Sequence, residues 1–175
     1  MPYAAAMPDH SPADSTTPLT GEDLEAWAAL ATVLEWLPPA LDSQLQRDAE
    51  LTHFEYGILY ALAESPERTL RMSVLAGYAN STLSRLSRAA TRLESRGWLR
   101  RTPDPADGRY TLAILTESGA EKVRQASPGH VQVVRRLVLD RLTASQTRQL
   151  REIGRRIMQG IREEEGWVPA TDAGP

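Results

Sequence analysis

One stretch limits what this chain can fold into more than any other. WLRRT at positions 98–102 and YTLAIL at positions 110–115 both read as short strands. Between them stand Pro103, Asp104, Pro105, Ala106, Asp107, Gly108 and Arg109, a bridge dominated by turn formers. Elsewhere apolar residues recur at helical spacing. The expected fold is therefore mainly α with one small β-hairpin, an α+β arrangement.

The helical segments carry their own punctuation. Thr20 with Asp23 resembles an N-cap pair, and a helix follows with Leu24, Trp27, Ala31, Leu34, Leu37, Leu41 and Leu45 in one row. That row keeps phase across Pro38 and Pro39, which predicts one kinked helix rather than two. A second row, Ala29, Val33, Trp36 and Ala40, lies on another face, so two apolar faces need cover and a second subunit would supply it. Thr52 and Glu55 form a capping box for a short helix ending near Ser65 and Pro66. Leu70, Met72, Leu75 and Ala76 suggest a helix of about two turns. Asn80 and Ser81 then provide turn and N-cap chemistry for a helix to about Arg96, stopped by Gly97. Two short helices joined by a tight turn predict a helix-turn-helix, with the hairpin as its wing. Thr116 or Glu117 starts a long helix interrupted or bent at Pro128 and Gly129. Thr143 and Gln146 cap a last helix bearing Leu150, Ile153, Ile157 and Ile161.

Composition removes several classes of function. The 175 residues include no cysteine, which excludes disulfides, thiol catalysis, thiol sensing and cysteine-ligated metals. Only His10, His53 and His130 remain for imidazole chemistry, and His130 has no histidine partner one turn away. Neither a Gly-x-Ser-x-Gly elbow nor a His-Glu-x-x-His pair nor a phosphate-cradling glycine loop is present, so neither an enzyme nor a cofactor is expected. With no long apolar run and no export-like leader, no membrane association and a cytoplasmic location are expected.

The net charge of −3 hides a segmented distribution. Residues 1–67 hold twelve acids against Arg47, a balance of −11. Residues 68–110 hold nine arginines against Glu94, Asp104 and Asp107, a balance of +6. A basic segment in an acidic chain suits a local polyanion site. Its centre is the helix after Asn80. Leu83, Leu86, Ala90 and Leu93 share one face, and Ser81, Arg85, Arg88, Arg92 and Arg96 occupy an arc of roughly 80° nearly opposite. Ser81, Thr82, Ser84 and Ser87 surround the amino-terminal half with short donors. Small hydroxyls for close approach and arginines long enough to reach guanine are what a helix in a major groove requires. Arg100, Arg101 and Arg109 extend the positive surface into the hairpin, where Arg109 could enter a minor groove. A solvated basic face facing an acidic protein partner is the competing reading, a winged-helix interaction module without DNA binding.

Taken together, LRMSVLAGYANSTLSRLSRAATRLESRGWLRR from Leu70 to Arg101 and DPADGRYTLAILTESG from Asp104 to Gly119 resemble the MarR family of winged-helix transcriptional regulators. The second segment carries that family's wing pattern at Asp107, Arg109, Leu115, Thr116 and Gly119. The resemblance implies a homodimer on double-stranded DNA, a repressor of a pseudo-palindromic operator. It divides the chain into a disordered tail (1–19), a dimerisation helix (20–48), a winged helix-turn-helix DNA-binding lobe (49–116), dimerisation helices (117–163) and a flexible tail (164–175). Ser81, Thr82, Ser84, Arg85 and Arg88 would contact bases or phosphates, with Asp107 and Arg109 at the wing. It also implies release by a small aromatic or phenolic effector, in a cleft that Trp27, Trp36, His53, Tyr56 and Tyr60 could line. The same five residues also read as ordinary core and interface aromatics.

Overall fold

The computed structural model describes residues 18–165, so the two expected tails lie outside the described residues apart from positions 18–19 and 164–165. The chain divides into two units, residues 1–37 and 38–175. Helix α1 spans Gly21–Ala49 with Pro38 and Pro39 inside it, the single helix that the unbroken phase of its apolar row predicts. In the first unit, Leu24, Trp27, Val33, Leu34 and Trp36 are all exposed.

The second unit continues with α2 (His53–Ala63), β1 (Thr69–Arg71), α3 (Met72–Tyr78), α4 (Leu83–Ser95), β2 (Leu99–Pro103), β3 (Thr111–Leu115), α5 (Glu117–Leu137) and α6 (Ala144–Glu165). Short 3-10 turns occupy Pro66–Arg68 and Leu139–Arg141. Three of the predicted caps form. Thr52 Oγ1 accepts from Glu55 N at 3.1 Å while Thr52 N donates to Glu55 Oε2 at 3.0 Å. Thr143 N likewise donates to Gln146 Oε1 at 2.9 Å, and Thr116 Oγ1 accepts from Gly119 N at 3.0 Å. Gly97 stops α4 in the left-handed region, φ 73°, which lets Trp98 N reach back to Leu93 O at 3.0 Å. Helix α5 runs through Pro128 without interruption.

Three local expectations are corrected. Leu70 belongs to a strand and not to the helix that follows. The backbone enters the left-handed region at Glu67 and Arg68, then extends for three residues that pair with β3, Leu70 opposite Ala113. The hairpin is thereby a three-stranded antiparallel sheet in the order β1-β3-β2. The N-cap of α4 is Thr82, whose Oγ1 accepts from Arg85 N at 3.3 Å, rather than Ser81. Leu83, at the first position of that helix, shares the apolar period of the buried face and is nevertheless 54% exposed.

The core lies where α2, α3 and α4 meet the sheet and α5. Leu45, Leu51, Ile58, Leu59, Leu62, Leu75, Leu86, Leu93 and Leu99 are fully buried. Gly119 allows the first turn of α5 to lie against the start of β2. A Cβ there would collide with the Trp98 carbonyl oxygen, which accepts from Thr116 N at 3.1 Å, and with Leu115 Cδ1. Since the Trp98 carbonyl cannot yield without breaking that bond, Gly119→Ala is expected to destabilise the protein by about 1–3 kcal/mol, read as a lowered midpoint in urea denaturation.

Candidate nucleic-acid interface

The turn between α3 and α4 is held by Ser81 N donating to Ala76 O at 3.0 Å, with Asn80 in the left-handed region at φ 41°. The turn leaves Thr82 and Ser84 exposed at the amino end of α4, their hydroxyls 3.2 Å apart, with Ser81 half-buried beside them. Here the structure brings together Ser81, Thr82, Ser84, Arg85 and Arg88, all five on one end of one helix.

The arginine row, however, is not a uniform outward stripe. Leu86, Ala89, Ala90 and Leu93 define the buried direction of α4. At about 100° per residue, the direction opposite them belongs to Ser84, Arg88, Thr91 and Ser95, while Arg85, Arg92 and Arg96 lie on the flank. That flank faces α2 and the turn before it. The Arg85 guanidinium stacks 4.4 Å from the centre of the Phe54 ring. Arg92 Nε donates to Glu55 Oε1 at 2.8 Å, and Arg96 Nη1 donates to Glu50 O at 2.7 Å. Arg101 is also engaged: its guanidinium donates to Glu94 Oε2 and to the hydroxyls of Ser87 and Thr91, while its backbone N donates to Glu94 Oε1. Arg88 has no hydrogen bond, ion pair or ring contact among the described residues. It lines a groove of about 470 Å³ with Asp42, Thr52, Phe54, Arg85 and Arg92.

The wing is organised by two aspartates. Asp104 is buried; it accepts from Ala106 N and from Arg71 Nε at 2.8 Å, which together hold its carboxyl below the usual range against the effect of burial. Asp107 accepts from Arg109 N at 3.1 Å and from Arg109 Nη2 at 2.6 Å, and the guanidinium depresses its carboxyl. The Arg109 side chain remains 84% exposed. Asp107 thus fixes the direction of Arg109 without covering it. Arg71 and Arg109 both lie over the Tyr110 ring, at 4.4 and 6.0 Å.

A second feature joins part of the expected effector set. Tyr56 and Tyr60 line a cavity of about 390 Å³ with His130, Val131, Val134, Arg135 and Leu139. His53 lies outside that cavity, yet its ring centre is 5.6 Å from that of His130, which is itself 4.7 Å from Tyr56. The Tyr56 hydroxyl shares a 3.0 Å hydrogen bond with Ser127. Trp27 and Trp36 belong to the first unit. His130 is thus the cavity residue that sequence reading did not place there: its partner stands on another helix, beyond the reach of any spacing rule. Its Nδ1 is buried without a hydrogen-bond partner among the described residues. No group of three or more metal-ligating side chains occurs among the described residues, and none of their helices is long and apolar enough to cross a membrane.

The comparisons with known proteins agree with this geometry. A family model described as MarR family matches residues 50–109, the span from the start of α2 through the wing. The chain is similar to Sco3205, a MarR family transcriptional regulator from Streptomyces coelicolor whose structure was solved in complex with DNA. The two are 48% identical, with a TM-score of 0.80 over 84% of this chain and 92% of that one. AbsC, a MarR family regulator from the same organism, is 35% identical with a TM-score of 0.80 over 85% of this chain and 99% of its own. The HTH-type transcriptional regulator YdcH of Bacillus subtilis is 32% identical over 83 residues, 45% of this chain; the chain spans 55% of that curated relative.

The His130 environment has a consequence for stability. Burial, aided by the neighbouring His53, holds the imidazole below its ordinary value of 6.5. The unfolded chain therefore takes up this proton first on acidification. The contribution to stability is fully present above pH 6.5, falls as pH drops through the folded value, and levels off below it. Urea midpoints measured from pH 7.5 down to about pH 5 should fall more steeply for the wild type than for His130→Gln.

Proposed function

The chain belongs to the MarR family of transcriptional regulators, and from that premise we propose that it is a dimeric, sequence-specific DNA-binding repressor of a pseudo-palindromic operator. The observation that carries this reading is the pairing of an uncommitted Arg88 on the outward side of α4 with an aimed Arg109 at the wing tip. One suits a major groove and the other a minor groove. Ser81, Thr82 and Ser84 would allow the helix end to approach the backbone closely, and Arg85, held over the Phe54 ring, would donate to base or phosphate. Asp107 would not touch DNA, whose phosphates it repels. Its part is to hold Arg109 extended.

In this reading residues 49–116 form the DNA-binding lobe, and residues 20–48 and 117–163 form the dimer. Two sets of exposed apolar side chains support the second assignment: Leu24, Trp27, Val33, Leu34 and Trp36 on α1, and Leu150, Ile153, Ile157 and Ile161 on α6. Faces of that size need cover, and a symmetric copy provides it twice. The cavity beside Tyr56, Tyr60 and His130 would take a small aromatic or phenolic effector, its walls apolar and its rim polar. Binding there would shift the population toward a dimer whose two α4 helices are wrongly spaced for successive major grooves. The protein would act in the cytoplasm.

Selection of bound duplexes from the native genome is expected to return an inverted repeat; failure to enrich any duplex would favour the protein-interaction module. On the selected duplex, Arg88→Ala and Arg85→Ala should each weaken specific binding by about 1–3 kcal/mol for each half-site contact with a guanine. Arg109→Ala should weaken binding most at sites whose flanking minor groove is narrow, measured by gel shift against A-tract and G·C flanks. Titration with aromatic acids at saturating concentration should release the duplex from the wild type and not from Tyr56→Ala.

A further inference from the structure

Between α4 and α2 lies an ion pair that DNA contact leaves unused. Glu55 is only 7% exposed, and its two oxygens serve different elements. Oε2 accepts from Thr52 N at 3.0 Å and closes the cap of α2, while Oε1 accepts from Arg92 Nε at 2.8 Å. One turn further along α4, Arg96 Nη1 donates to Glu50 O at 2.7 Å. Two bonds one turn apart fix both the rotation of α4 about its axis and its height against α2. Three-fifths of the Arg92 side chain remains solvent-exposed, at 58%, so the guanidinium looks available to an anion by position alone. Its Nε, however, is already committed to Glu55. Moving it onto a phosphate would strip a buried carboxylate of its counter-charge beside a polyanion, an arrangement that breaking such a pair makes strongly unfavourable. Arg88, four residues earlier, has no such competing partner among the described residues.

We propose that Arg92, through Glu55, is a positioning residue for the reading helix, not a phosphate contact. It sets where Ser84 and Arg88 stand relative to the rest of the lobe. The inference rests on the reading of α4 as a DNA-binding helix, and it divides a row of four arginines, alike in sequence, into a part that meets DNA and a part that aims it. Arg96 supports the same geometry from the α1–α2 turn.

Salt dependence separates the two roles. A phosphate contact releases counterions, so its loss makes the slope of log affinity against log salt shallower by about 0.9 per contact, whereas loss of a positioning bond lowers affinity at every salt concentration alike. The experiment measures binding of the full chain to its genome-selected duplex between low and moderate salt. Arg92→Ala is expected to weaken binding roughly tenfold with the wild-type slope, as coupling of neighbouring contacts allows. A slope made shallower, or an unchanged affinity, overturns the proposal. Glu55→Gln gives an independent reading with the fold protected, since glutamine also serves at this position of a capping box. As a positioning partner its loss weakens binding; if Arg92 instead met phosphate, freeing it from the carboxylate would strengthen binding and refute the inference. The double variant should bind no worse than the weaker single variant, and additive losses would likewise refute it. A wild type that binds no duplex, or binds indifferently to salt, rejects the DNA-binding reading itself. Variant results on a salt-sensitive wild type bear on Arg92 alone.

Discussion

The burial of Leu86, Ala89, Ala90 and Leu93 against Leu99 and the helices around it decides what this protein can present to a partner. A helix turns by a fixed angle per residue, so once these four side chains are inside, every other side chain of α4 has its direction assigned. Ser84, Arg88 and Thr91 go outward, and the flanking arginines are turned toward α2 and the turn before it. Close packing makes this assignment rigid, because rotating the helix even slightly would open gaps beside each of those side chains. The surface chemistry of the lobe is a by-product of its core.

That dependence explains which parts of the structure were legible in the sequence. Caps, stops and turns are local, and Thr52 with Glu55, Thr116, Thr143 with Gln146, and Gly97 all perform the roles their residue types suggest. The single α1 helix was readable through its prolines because the apolar period held. Relations across the chain were not. Strand β1 has three residues, too few to show an alternating pattern, and exists because β3 offers it a partner 40 or more residues away. Leu83 shares the period of the buried face and is nevertheless exposed, since a periodic pattern says nothing about where the covering element ends.

The basic helix shows the same limit in chemical form. Counting charge correctly located the positive segment, but charge along a helix does not reveal which cations are already satisfied. Glu55 stands 37 positions before Arg92 and Glu50 stands 46 before Arg96. The first partner is a carboxylate from the acidic part of the chain, so the segmentation that attracted attention to the arginines also supplies the anchor for Arg92, whereas Arg96 is held by the Glu50 backbone carbonyl, which no charge count reveals. Likewise, His53 and His130 look isolated in sequence and become neighbours only through the packing of α2 on α5.

Arg71 belongs to the strand that leads directly into α3, and it both binds Asp104 at the start of the hairpin loop and stacks on Tyr110 at its end. A loop tied at both of its ends to the entry of the helix-turn-helix cannot swing like a free arm. Hairpin tip and helix are thereby joined like two prongs of one fork, and under the proposed DNA-binding function the lobe would measure the distance between adjacent grooves as well as touch each. Duplexes that are over- or underwound would be discriminated by gauge, even where their base sequence is unchanged.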